Sequence, residues 1–224
     1  MTATRNKRIL SVQPVSDGGG SEHALIGMLG ELAADGWDCH VAVPEPARMA
    51  AEYAAAGATL HVVPMANLTT SGRHGRWLRF AARWPWTVLR LARLVRRLDA
   101  GLVHSNSLHS WYGWAAAALT GRPHVWHARE IVFQSRAALA LERFLTRRFA
   151  ARVIAVSDAV AAQLHPDNVV VLRCGSDKRA ISWVRQQGAG RVFYTTLGHD
   201  NHSWTMPPLV DDHVIPGLLW SMGR

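Results

Sequence analysis

The chain has 224 residues, 49% of them hydrophobic and 18% charged, which excludes wholesale disorder and suits one ordinary domain with a short appendage. Twenty-five Lys and Arg against sixteen Asp and Glu leave a net charge of +9, which points to anionic partners. Two cysteines, Cys39 and Cys174, exclude a disulfide framework and a four-cysteine zinc site. The first apolar run, 9–12, is too short for a signal peptide or a membrane span, so a cytoplasmic protein is expected.

In chain order, 8–13 reads as a strand. Residues 14–21 form a loop holding Gly18, Gly19 and Gly20. Ser21 is the expected N-cap of a helix over 22–35, closed by Gly36. A second strand is predicted at 38–43, a helix at 47–56 and a third strand at 59–63. A basic helix follows over 77–98, with a break expected near Pro85. Strands at 102–105 and 124–127 flank a helix over 110–120. A helix over 137–149 leads to a strand at 152–156. Ser157 should cap a helix ending at 164, before a last strand at 169–172.

Strands alternating with helices at this spacing imply βαβ units. The fold class is α/β: a doubly wound, mostly parallel, Rossmann-like sheet with a short α/β appendage. Ligands of such sheets bind beyond the carboxyl ends of the strands. That directs attention to the Gly18 loop, to 105–107 and to 127–130. After Asp177 the texture changes to a strand or short helix at 180–187, a turn, a strand at 191–197 and a terminal helix over 211–222.

Three consecutive glycines allow a ligand to approach the backbone closely, and amides at a helix start favour an anion or hydroxyls. The loop is neither G-x-G-x-x-G nor a P-loop, so a tight βα turn without a ligand remains open. The 73–97 stretch holds eight arginines and no acid, with Trp77, Phe80, Trp84 and Trp86 interleaved. Three readings stand: a solvated helix packing its leucines inward, a surface for anionic lipid headgroups, and a nucleic-acid face, the last the weakest. Candidate residues for an anionic or membrane surface are Arg76, Trp77, Arg79, Arg83, Trp84, Arg90 and Arg93. No metal site is expected; His199, Asp200 and His202 lack a fourth ligand.

Gly18, Gly19, Gly20, Ser21 and Glu22, with Leu25, Leu29 and the turn at 35–38, resemble the opening of family 4 glycosyltransferases of the GT-B fold. The segments 102–106, 123–130 and 153–157 continue that pattern in order. The resemblance covers about residues 5–177, the acceptor-side half. It implies transfer of a sugar from a nucleotide-sugar donor to a hydroxyl on a sugar or lipid-linked acceptor, without a separate cofactor. It implies a catalytic role for His127, hydrogen-bonding the sugar or orienting the acceptor. By the same resemblance, donor-phosphate and acceptor contacts would fall on Gly18, Gly19, Gly20, Ser21, His104, Asn106, Arg129 and Glu130; for His127, and more so for His104 and Asn106, the alternative is a strand-end polar residue satisfied within the fold. Many relatives use membrane-bound acceptors, which favours a peripheral position on the inner face of the membrane.

The donor half of such enzymes commonly carries two glutamates separated by seven residues. None of the six glutamates here are so spaced, and no Asp-x-Asp occurs. The donor-binding domain is therefore expected to be absent, and the chain inactive alone. Residues 181–200, with Trp204 and Trp220, resemble the C-terminal end of trehalose-utilisation (ThuA-like) proteins. The expected domains are 1–177 and 178–224. A non-catalytic module binding a membrane surface or a phosphorylated ligand is the alternative, and a ThuA-like role in carbohydrate metabolism a weaker one.

Overall fold

A computed structural model describes residues 6–66, 74–131, 136–164, 169–171, 182–187, 190–195, 215, 216 and 219, with backbone alone for 74–79, 182–187 and 190–195. The chain divides into two compact units, Met1–Leu172 and Arg173–Arg224. The division falls five residues before the boundary expected from sequence.

The first unit alternates strand and helix throughout: β1 (Arg8–Val12), α1 (Gly20–Ala34), β2 (Asp38–Val43), α2 (Ala50–Ala55), β3 (Ala58–Val62), α3 (His74–Arg97), β4 (Leu102–Ser105), α4 (Gly113–Thr120), β5 (His124–Ala128), α5 (Arg136–Phe149), β6 (Arg152–Ala155), α6 (Asp158–Leu164) and β7 (Val169–Val171). The strands form one sheet in the order β3-β2-β1-β4-β5-β6-β7. Every pairing within it is parallel. The chain winds outward from β1 to β3, then crosses back through α3 to β4. The winding direction therefore reverses between β1 and β4, and a crevice opens beyond their carboxyl ends.

Parallel strands covered by helices read as near-continuous apolar runs, and β1 and β2 do so. Leu10, Val12, Ala42, Val103, Leu91 and Val95 are buried in one cluster under α3 and α4. Ile9, Val41, Leu25, Leu29 and Tyr53 fill another under α1 and α2. Trp126, Val153, Val160 and Leu164 fill a third. Close approach of α4 to the sheet requires Gly113: a Cβ there would lie 2.1 Å from Ser105 Oγ.

Two local expectations are corrected. α3 runs unbroken through Pro85. Ala81, whose carbonyl loses its helical partner, is exposed, while Thr87, Val88, Leu91, Ala92 and Val95 beyond the proline are buried and hold the helix to the core. Ser21 does not cap α1, which starts at Gly20 with Gly19 as the capping residue. Ser157 does cap α6, accepting from Val160 N at 3.2 Å.

In the second unit, β8 (Ser182–Gln187) and β9 (Gly190–Thr195) pair antiparallel as a hairpin. The expected junction at 174–178, the terminal helix as a whole, and Cys174, His199, Asp200, His202, Trp204 and Trp220 lie outside the described residues.

Candidate functional site

The crevice is built from the residue that follows β1. Gln13 is 2% exposed, and its backbone N–H donates to Ala42 O at 2.9 Å. Its Nε2 donates to Val15 O at 2.9 Å, and its Oε1 accepts from Asn106 Nδ2 at 2.8 Å. Asn106 follows β4, is fully buried, and donates from the same nitrogen to Ser21 O at 2.9 Å. Asn106 Oδ1 accepts from Arg129 Nε at 3.0 Å. One carboxamide thus clasps the ends of β1, β4 and β5 to the first turn of α1. Asn106 was a candidate for the cleft or for a satisfied strand-end polar residue; all its polar atoms serve this clasp. Sequence reasoning passed over Gln13, and its signal was a lone amide between an apolar strand and a glycine loop.

The glycine loop is closed by the chain's own carboxylates. Gly18 has φ of 78°, a conformation that favours glycine, and its N–H donates to Glu22 Oε2 at 2.7 Å. Gly19 N–H donates to Asp17 Oδ1 at 2.9 Å, and a Cβ on Gly19 would meet that same oxygen at 2.9 Å. Glu22 is fully buried, with Tyr53 OH donating to its other oxygen at 3.4 Å. Burial and the neighbouring Glu22 push the Tyr53 phenol up from its ordinary value. Two of the expected anion donors are therefore spent internally. The N–H groups of Gly20 and Ser21, in the first turn of α1, have no protein acceptor among the described residues. Ser21 Oγ faces Gln13 Nε2 at 3.5 Å.

His127 lies near the end of β5 and is 7% exposed. Burial first, then the Arg129 charge, pushes its pKa down to about 3, so the ring is neutral near pH 7. Arg129 Nη2 sits 3.5 Å from His127 Nδ1. A guanidinium only donates, so Nδ1 faces it as acceptor and the ring proton belongs on Nε2. His104, expected in the cleft, is enclosed beneath it at 2% exposure. Its ring centroid is 5.7 Å from that of His127, and its Nδ1 lies 3.2 Å from Ser11 Oγ. Burial, then His127, His124 and Arg129, hold its pKa well below the ordinary value. His104 therefore supports His127 as a neutral ring.

Glu130 was expected among the donor-phosphate and acceptor contacts. It accepts from Ser107 Oγ at 2.6 Å, from Leu108 N at 3.0 Å and from the backbone N–H of Arg129 at 3.2 Å. Its carboxylate thereby fixes the loop after β4. His109, in that loop, is 3.1 Å from buried Glu142, whose hydrogen bond raises the His109 pKa. Of the basic-face residues, Arg83, Arg90 and Arg93 are exposed on α3. Arg76, Trp77 and Arg79 lie on its backbone, and their side chains are outside the described residues. Trp84 is a correction: it turns inward, half-buried, and donates to Trp111 O at 3.1 Å. Trp86 is exposed, at 66%. Among the described residues no group of three His, Cys, Asp or Glu could hold a metal ion.

The model of the family described as Glycosyltransferase Family 4 matches residues 18–179. No curated protein matches the chain. Among solved structures, Anabaena Alr3699/HepE in complex with UDP and glucose shares 20% identity, with a TM-score of 0.56 over 73% of this chain and 43% of that one. Acinetobacter baumannii MurG shares 13% identity, with a TM-score of 0.54 over 73% of this chain and 45% of that one. The chain thus spans less than half the length of these two proteins. At such identities the likeness shows the fold, a GT-B-type Rossmann-like domain.

Proposed function

This chain belongs to glycosyltransferase family 4, and from that membership we propose that it supplies the acceptor-side half of a nucleotide-sugar-dependent transferase. HepE is seen with UDP and glucose, which supports a nucleotide sugar as donor. The observation that carries the reading is the meeting of the α1 N-terminus, Arg129 and neutral His127 where the strand order reverses. The unclaimed Gly20 and Ser21 amides and the positive end of α1 suit a donor phosphate. In the transfer, the bond from the anomeric carbon to the phosphate oxygen breaks and one to the acceptor oxygen forms. The acceptor proton leaves with the departing phosphate.

A histidine with a pKa of about 3 is too weak a base to take that proton. His127 acts instead as a hydrogen-bond donor through Nε2, holding a sugar or acceptor hydroxyl. Arg129 adds positive charge where the leaving group gathers negative charge. Asn106 and Glu130 are positioning residues: one orients the Arg129 guanidinium, the other its backbone. Titration of the full chain with UDP-, GDP- and TDP-linked sugars, followed at the His127 ring resonances, tests this. A shift with at least one donor, abolished by replacing Gly20 with proline, is the expected result. Unmoved His127 resonances at millimolar concentrations of every donor refute it.

We also propose a peripheral position on the inner membrane face, supported by the arginines of α3 and compatible with a lipid-linked acceptor. For 178–224, the ThuA-like reading is supported by the motif run at 181–200.

A further inference from the structure

We propose that the outer face of α3, together with the trough between it and edge strand β3, docks this protein on an anionic lipid bilayer. The inference rests on the peripheral placement proposed above and names the surface responsible. At about 100° per residue, Arg83, Trp86, Leu89, Arg90, Arg93 and Arg97 share an arc of roughly 120° on α3. All six are exposed. Val88, Leu91, Ala92 and Val95 occupy the opposite side and are buried. Ordinary surface helices intersperse both signs of charge, but no acid occurs between Arg73 and Arg97. Among the described residues none of these four arginines has a carboxylate within ion-pair distance.

The arginines line connected hollows. One, of about 610 Å³, runs along β3 between His61, Val62 and Pro64 on one wall and Arg90, Arg93 and Arg97 on the other. It continues past Pro64 and Arg90 into a second, of about 250 Å³, bounded by Met65, Arg83 and Trp86. Guanidinium groups along such a trough fit phosphodiester headgroups.

Charge alone would serve a nucleic acid equally well; the apolar groups decide. Trp86, Leu89 and Leu119 are 66%, 41% and 51% exposed. On the far flank of α3 lies an apolar groove of about 360 Å³, lined by Trp84, Val88, Leu89, Trp114 and Leu119. Arginines beside an exposed indole and aliphatic side chains match the headgroup–acyl boundary. Stacked bases offer nothing to leucines. Among the described residues no helix is long and apolar enough to cross a membrane, so contact through α3 is with the surface.

The test is sedimentation of the full chain with vesicles of phosphatidylcholine, alone or mixed with phosphatidylglycerol. Pelleting with the mixed vesicles only, weakened by salt, is expected. At roughly fivefold per arginine, the Arg83→Gln, Arg90→Gln, Arg93→Gln, Arg97→Gln variant binds several hundredfold more weakly. A variant of equal net charge, Arg136→Gln, Arg147→Gln, Arg148→Gln, Arg152→Gln, loses far less. Trp86→Ser with Leu89→Ser weakens binding at unchanged charge. Circular dichroism verifies that every variant is folded. Equal loss in both arginine variants, or no loss in the Trp86 and Leu89 variant, overturns the proposal. So does retained pelleting of the α3 variant, which leaves the peripheral placement standing. Failure of the unmodified chain to pellet removes that placement as well.

Discussion

Lowering the pH from about 8 to about 5 should strip several kcal/mol from the first unit, because folding encloses histidines in their neutral form. His124 and His127 are each held at a pKa of about 3, against 6.5 for an ordinary imidazole. Burial is the leading cause in both. Well above 6.5 neither state binds the proton and stability is full. Between 6.5 and 3 the unfolded chain binds more protons than the folded one, so stability falls with pH. At pH 5 the deficit is about 1.5 pH units for each ring, or about 2 kcal/mol each and about 4 kcal/mol together.

His104 and His61 are shifted in the same direction and add to the loss. His109 acts oppositely: its raised pKa gives stability that is present at low pH and fades as pH rises through the raised value. Against a total stability of about 5–15 kcal/mol, a loss of about 4 is a quarter or more of the whole. Urea unfolding, followed by circular dichroism at stepped pH, measures the slope. Replacing His124 by glutamine keeps a nitrogen near Ser105 Oγ, now 2.9 Å from Nε2, and should remove about half of the loss assigned to these two rings. A flat stability between pH 8 and 5, or equal slopes for the two proteins, would show that the rings are not enclosed as described.

Two further substitutions probe the architecture. Gly113→Ala places a methyl 2.1 Å from Ser105 Oγ, so either that hydroxyl swings away and gives up its 2.9 Å contact with buried His124 or α4 shifts off the sheet, and thermal unfolding should show a loss of about 1–3 kcal/mol; an unchanged midpoint would contradict the close contact. Asn106→Asp turns both donors of the clasp into acceptors facing Gln13 Oε1 and Ser21 O, partly offset by attraction to Arg129; the net cost should be about 1–3 kcal/mol in urea unfolding, and a gain in stability would refute the assigned clasp.

The local alphabet of this protein was legible from its residues. Apolar runs of four to six residues alternating with amphipathic stretches announced β1 to β7 and the intervening helices, and their order announced a parallel sheet. Gly18 to Gly20 and His127 were singled out because loops at strand ends carry ligands in such sheets, whatever the details. The unbroken α3 was not legible, since a proline's local penalty is visible in sequence and the packing that offsets it is not.

What the tertiary structure alone decided are the partners. Asn106 and Gln13 stand 93 residues apart, and only the pairing of β1 with β4 brings their amides together. The same pairing buries His104 beside Ser11, turning a candidate ligand into a prop. Asp17 and Glu22 claim glycine amides through turn geometry that composition does not encode. Short-range propensity and periodicity are written along the chain; hydrogen-bond partners and burial follow from strand register, which exists only once distant segments have met.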